Sequence, residues 1–257
     1  MLALAWIGRW VGVVVLAALL GSGAAPNTAS VRAGGNPASG SVGRDLGAAS
    51  CAHTLPSGAA FGVIATTDGR PYFASPCLAS EYAWASSLPY RTQYYINLAD
   101  PGHSSPHWGQ GGPQTCHRKA RYGTGCAYDY GYEAAAAAWG YVAAVGAPGH
   151  GRWWLDVETD NTWGYSAGGI DANRQVIRGA LDYLRHVRRV TAGIYTETGW
   201  WLWITGGTTD FSDTPVWGGG ANSEAHARNN CLPHSITGGP ALMAQWIRNG
   251  VDRDIAC

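Results

Sequence analysis

The sequence predicts an α/β fold, a single barrel of βα units, from three observations. Short runs of apolar, β-branched and aromatic residues alternate with longer helical patterns. Strands separated in this way by helices line up in parallel. Five or more such strands fit in one chain of 257 residues, which favours closure over an open α/β sheet, although the same alternation suits both. Late in the chain the strands crowd together, with little room for helices between them.

The first residues have the pattern of an export signal. Arg9 precedes an apolar run, Val11 to Leu20, followed by small residues, "GSGAAPNTAS". Residues 1–25 are therefore expected to be a signal peptide, with an uncleaved anchor as the alternative reading. Residues 26–42, rich in Gly, Pro and Ser, read as a disordered linker. The barrel is expected over residues 43–257.

"AFGVIATT" (60–67) and "TQYYINLA" (92–99) read as strands on either side of a helix around "LASEYAWASSL". The long irregular stretch 100–126 calls for a function or a staple. A helix follows over "YDYGYEAAAAAWGYVAAVG", with Asp129 as N-cap, Gly146 near its end, and an alanine tract suited to tight helix packing. "RWWLDVE" is the next strand. An amphipathic helix opens at Asp171, and the strands "VTAGIYT", "TPVWGG" and "PALMAQWI" complete the pattern.

Six cysteines, Cys51, Cys77, Cys116, Cys126, Cys231 and Cys257, form an even set in an exported chain, which reads as disulfides. Chain order predicts sequential pairing, each bridge closing a loop of about one βα unit or less. His103, His107 and His117 lie near two of the thiols, but no C-x-x-C spacing accompanies them. No metal and no cofactor is expected. Formal charge is zero and only 13% of residues are charged, which excludes a nucleic-acid footprint and an anionic-membrane one. Thirteen Trp and thirteen Tyr are a heavy aromatic load: some must pack the core, and a surplus would suit flat-faced recognition of sugars or peptides.

The run "WWLDVETDNTW" (153–163) sets two acids among tryptophans. Alternation along a strand puts Trp154, Asp156 and Glu158 on one face and Trp153, Leu155 and Val157 on the other. The acids come at the strand's end, where βα barrels carry their chemistry. Two inward carboxylates repel and lose hydration, so one is expected to keep its proton. A neutral acid beside an ionised one is what glycosidic cleavage uses. An ion pair with an arginine, or a capped turn, is the other reading of these residues.

Several motifs in order resemble the lysozymes of glycoside hydrolase family 25. "WWLDVE" is similar to the family's Asp-x-Glu strand, and "RDLGAASC" (44–51) to its first strand, with Asp45 as the aspartate. "ATTDG" (65–69) resembles the second strand, "AGIYT" (192–196) a later one, and "AQWIRNGVDRD" (244–254) the closing strand with its Val-Asp, here Asp252. The first strand has Gly47 in place of serine, and the second has Asp68 in place of glutamate. The resemblance covers roughly residues 43–257 and identifies an exported, disulfide-containing subgroup. It implies an irregular TIM-like barrel, cleavage of β-1,4 bonds in peptidoglycan, and Glu158 as general acid, with Asp156 and Asp45 shaping charge around the sugar. Tyr95, Asn97, Tyr195, Trp217 and Gln245 lie on strands read as barrel walls and are candidate sugar contacts with Asp252. Trp246 is a further aromatic on those walls, only some of which face inward. Glu197 is the next candidate acid.

Two other classes remain. "GYSAG" (164–168) matches the nucleophile elbow of serine hydrolases around Ser166, but it follows a polar stretch rather than a strand. A barrel of this kind also serves as a wall-binding module without chemistry. A secreted monomer acting on peptidoglycan or another polysaccharide, with no membrane contact beyond an N-terminal anchor, is the expectation.

Overall fold

The structure, a computed structural model, describes residues 34–47, 51, 54–117, 120–232 and 235–257. Eight strands close into one barrel in chain order. They are β1 (Val42–Leu46), β2 (Gly62–Ala65), β3 (Gln93–Asn97), β4 (Trp153–Asp156), β5 (Ala192–Thr196), β6 (Val216–Ala221), β7 (Ala241–Arg248) and β8 (Val251–Ala256). β1 to β7 run parallel, and β8 is antiparallel to both its neighbours, β7 and β1. Among the described residues five α-helices accompany them: α1 (Leu78–Ser86), α2 (Thr124–Ala144), α3 (Ala167–Asp182), α4 (Thr198–Thr205) and α5 (Glu224–Asn230). The expected signal peptide and residues 26–33 of the expected linker lie outside the described residues. From residue 34 on, the chain is already held to the barrel: the Arg91 N–H donates to Gly35, the Gly40 N–H to Ala256, and the Ala256 N–H to Ser41.

Alternation along the strands sorts the side chains into two cores. Phe61, Val63, Trp154, Trp217, Met243 and Ala256 fill the barrel. Ile64, Ile96, Trp153, Leu155, Val157 and Ile194 face outward, where they meet the helices. Each tryptophan of the "WW" pair is buried and finds a partner for its indole N–H. Trp153 donates to Gly149 O at 2.9 Å, and Trp154 to Gln93 Oε1 at 2.8 Å. Trp246 faces outward and packs with Ala227 of α5 rather than lining the barrel.

The alanine tract of α2 serves tight packing, as expected. Ala134, Ala135 and Ala138 are fully buried. A Cβ at Gly131 would collide with the backbone of Val176, and one at Gly179 with that of Tyr128, so these two glycines set how closely α2 and α3 approach. α2 begins earlier than expected, at Thr124. Asp129 is therefore not its N-cap: it is buried within the helix and accepts the Gln114 N–H at 2.9 Å, holding the long loop. α3 is capped by Ser166 and not by Asp171, because the Ser166 hydroxyl reaches the Gly169 N–H at 3.2 Å.

The late region holds more structure than expected. α4 and α5 occupy the connections after β5 and β6. α4, "TGWWLWIT", is apolar nearly all round and lacks the two-faced period that marks a helix in sequence. The closing segment is two strands, since Asn249 and Gly250 take φ of 55° and 70°, the geometry of a tight hairpin turn. The three disulfides pair sequentially: Cys51–Cys77, Cys116–Cys126 and Cys231–Cys257, with Cα–Cα distances of 4.9, 4.6 and 5.2 Å. The second staples the long loop to the first turn of α2. The third ties the end of α5 to the residue after β8.

Candidate active site

A cleft of about 520 Å³ opens at the C-terminal end of the parallel strands. Asp45 reaches it from β1, Tyr95 from β3, Tyr195 from β5, Trp217 from β6, Gln245 from β7 and Asp252 from β8. Asp156 ends β4, and Glu158 stands two residues further out on the same face. Asn97 does not line the cleft. It is buried behind Asp156, directly beside it in the β3–β4 register. Asp156 is in turn beside Tyr195 on β5, and Tyr195 is beside Trp217 on β6.

Neutral polar groups fix the acids in place. The Asn97 amide donates to Asp156 Oδ2. Asn97 Oδ1 accepts from the Thr67 hydroxyl at 2.9 Å, and this sets the amide's orientation. On the other side of the barrel, the Tyr195 hydroxyl donates to Gln245 Oε1 at 2.8 Å, and Gln245 Nε2 donates to Asp45 Oδ2 at 3.0 Å. Asp45 Oδ1 and Asp156 Oδ1 find no neutral partner among the described residues; Asp45 shares a hydrogen bond with the acid Asp254, and Asp156 with Glu158. Both oxygens are shielded from solvent and lie at the cleft floor.

The electrostatics follow from burial and like charge. Among the described residues, no lysine, arginine or histidine lines the cleft. Burial pushes Asp156 well above the usual carboxylate range, and the neighbouring Glu158 pushes it further. Burial also raises Glu158, with Asp160 adding to the effect. Asp45 rises to about 7 through burial and the charge of Asp252. Asp254 lies one strand period deeper than Asp252, fully buried, and is raised by burial and then by Asp45. Asp156 and Glu158 therefore titrate as a unit, in which the deeper Asp156 holds its proton more firmly and Glu158 is the more accessible member.

The sequence reading did not name Trp200, Asn222 or Asp254. Trp200 lines the cleft from the first turn of α4, edge-on to Tyr195 at 6.2 Å between ring centroids. Its signal was hidden with the helix that carries it. Asp254 was legible, since it shares a strand face with Asp252. Glu197, the reserve acid, lines the cleft rim. Ser166 does not belong to the site: it is exposed and used as a helix cap, which removes the serine-hydrolase reading. Cys116 and Cys126 are joined to each other, and His107 is stacked on Tyr72 at 3.9 Å.

No family model matches the sequence, and no curated protein does. Solved structures do match the fold. A muramidase from Acremonium alcalophilum is 17% identical and superimposes with a TM-score of 0.54 over 84% of this chain and 93% of its own. A family GH25 lysozyme from Aspergillus fumigatus gives 17%, 0.54, and the same two coverages, 84% and 93%. The bacterial lysozyme from Streptomyces coelicolor gives 18% and 0.52 over 86% of this chain and 93% of its own. Over nearly the whole length of those proteins, this chain has the fold of the GH25 muramidases and lysozymes.

Proposed function

We propose that the protein is an exported glycoside hydrolase that cleaves β-1,4 bonds of peptidoglycan, in the manner of a muramidase. The observation that carries this reading is the convergence of Asp45, Asp156, Glu158 and Asp252 on one aromatic-walled cleft, at the barrel end where catalysis is housed. The likeness of fold to muramidases supports the same reading.

Glu158 acts as the general acid. It is the outermost of the paired carboxyls, and its proton is retained by burial and by the charges around it. Asp156 is locked by Asn97 and tunes Glu158. Asp45, held by Gln245, faces the developing positive charge of an oxocarbenium-like sugar. Tyr95, Tyr195, Trp200 and Trp217 offer faces and edges to the sugar rings. Gln245 and Asp252 offer polar contacts to hydroxyl and acetamide groups. The three disulfides suit an oxidising, extracellular compartment. Among the described residues, no helix is long and apolar enough to cross a membrane.

The test is Glu158→Gln. General acid catalysis contributes about a hundred- to ten-thousand-fold, so release of reducing ends from peptidoglycan should fall by that order while the glycan still binds. Equal rates in variant and wild type would remove Glu158 from this role.

A further inference from the structure

A second cavity, of about 300 Å³, adjoins the cleft and has no part in the chemistry above. It lies on the outer side of β6, lined by the start of α4, by His226 and Asn230 of α5, and by Ser235 and Ile236. Glu197 and Gly220 line both cavities.

The wall between them is one backbone thick. β6 slips register against β7 between Gly218 and Ala221, and Gly220 sits at φ +78°. A Cβ at Gly219 would come within 2.9 Å of the Tyr195 hydroxyl, and one at Gly220 within 3.0 Å of the Glu197 carboxyl. Bulges of this kind re-aim side chains next to active sites. Here the bulge leaves Glu197 at the doorway from the cleft to the side pocket. At Gly218 there is space instead, since a Cβ would meet only Ile236 and Asn230, at 3.8 and 3.9 Å.

The lining selects by charge. Among the described residues Glu197 belongs to none of the ion pairs, and no lysine or arginine lines either cavity; the one basic side chain on the side pocket is the imidazole of His226. An anionic substituent would meet the Glu197 carboxylate with no lysine or arginine to offset it. A primary ammonium would meet the Glu197 carboxylate and oxygen acceptors from Thr198, Asn230 and Ser235. The Ser235 hydroxyl is closed off from solvent and has no hydrogen-bond partner among the described residues. Val216, Ile236 and Ala241 supply apolar cover for the carbons next to such an amine.

We infer that the side pocket receives an amine-bearing substituent of the glycan held in the cleft, with Glu197 as the counter-ion of its ammonium group. This rests on the glycan-cleaving reading and adds a preference to it. The amine has two chemical sources: a hexosamine that has lost its acetyl group, or the side chain of a diamino acid in an attached peptide.

The test is calorimetric titration of the full chain at neutral pH with two matched pairs. One is a fully N-acetylated chitin tetrasaccharide against the same sugar with a single free amine. The other is a disaccharide-peptide with a free side-chain amine against the same compound with that amine acetylated. In one pair the amine form should bind about two- to fivefold more tightly, as a partly exposed ion pair provides, and that pair identifies the source. The preference should vanish in Glu197→Gln. It should also vanish in Gly218→Val, which fills the side pocket and leaves hydrolysis of an amine-free glycan unchanged. No preference in either pair, or a preference that survives in either variant, overturns the inference. If amine-free glycans still bind and are cleaved in that case, the glycan-cleaving reading stands. If wild type neither binds nor cleaves any of the four compounds, that reading falls and takes the inference with it.

Discussion

Asp156 and Glu158 differ in what surrounds them more than in their chemistry. Asp156 is pinned by Asn97 at the end of β4, whereas Glu158 stands beyond the strand with access to a substrate oxygen. Asp156 keeps its proton more firmly than Glu158, so it meets Glu158 as a neutral hydrogen-bond donor, and that bond lowers the Glu158 pKa. A general acid must be protonated to act, so Asp156→Ala, which removes the donor, should move the alkaline limb of the pH–rate profile to higher pH, whereas Asp156→Asn keeps a neutral donor and should leave the limb nearly in place. An unmoved limb in Asp156→Ala would show that Asp156 does not tune Glu158. Another carboxyl, Glu81 of α1, is fully buried outside the site with no charged partner among the described residues, and burial raises it to about 8 against a hydrogen bond from the Ala65 backbone that lowers it. The folded state binds this proton more tightly than the unfolded chain does. Its contribution to stability is therefore whole below the ordinary glutamate pKa and is lost as pH rises toward 8, by at most about 1.4 kcal/mol per pH unit. Thermal melts should show Glu81→Gln losing less Tm between pH 5 and pH 8 than wild type. At this scale strand parity carried far: the inward face of Trp154, Asp156 and Glu158 was readable from alternation alone. The partners that orient the acids were not, because Asn97 meets Asp156 across 59 positions of sequence and Gln245 meets Asp45 across 200.

Elements explain where reading the sequence worked and where it failed. The strands of the first two-thirds stood out by their β-branched and aromatic runs, and α2 and α3 by length and caps. Asp129 and Asp171 were plausible caps by residue type. The caps went elsewhere: α2 starts at Thr124 with no side-chain cap, inside the loop that the Cys116–Cys126 bridge closes, and the Ser166 hydroxyl caps α3. Removing that cap should cost about 1 kcal/mol. Ser166→Ala should therefore lower the unfolding free energy slightly and leave hydrolysis intact, whereas a lost activity would revive the serine-nucleophile reading. α4 was missed because its apolar residues run all round it. β8 was missed although "NG" is a strong hairpin signal, since the segment was read as one strand. The Cys231–Cys257 bridge fixes β8 by its end, next to the strand that carries Asp252 and Asp254. Replacing both cysteines with serine should cost roughly 2–4 kcal/mol, read by denaturant unfolding. Activity should be lost at a lower temperature than in wild type. A variant as stable as wild type would show that the bridge does not restrain the unfolded chain.

For the whole molecule, alternating strands and helices indicated a barrel, and closure followed from how many strands the chain could hold. The reversed eighth strand joins β7 to β1 and completes the barrel without another helix. This places the closing acids, Asp252 and Asp254, next to Asp45, which lies at the opposite end of the sequence. The resulting cleft concentrates carboxyl groups with no basic side chain of the described residues among them, an arrangement costly to stability and suited to proton transfer. The most direct test of that account is to incubate the purified protein with peptidoglycan and analyse the soluble fragments by mass, with Glu158→Gln in parallel. The account predicts new reducing ends on N-acetylmuramic acid from wild type and a loss of about a hundredfold or more in the variant. Wild-type protein that sediments with the wall but releases no new reducing ends would contradict it.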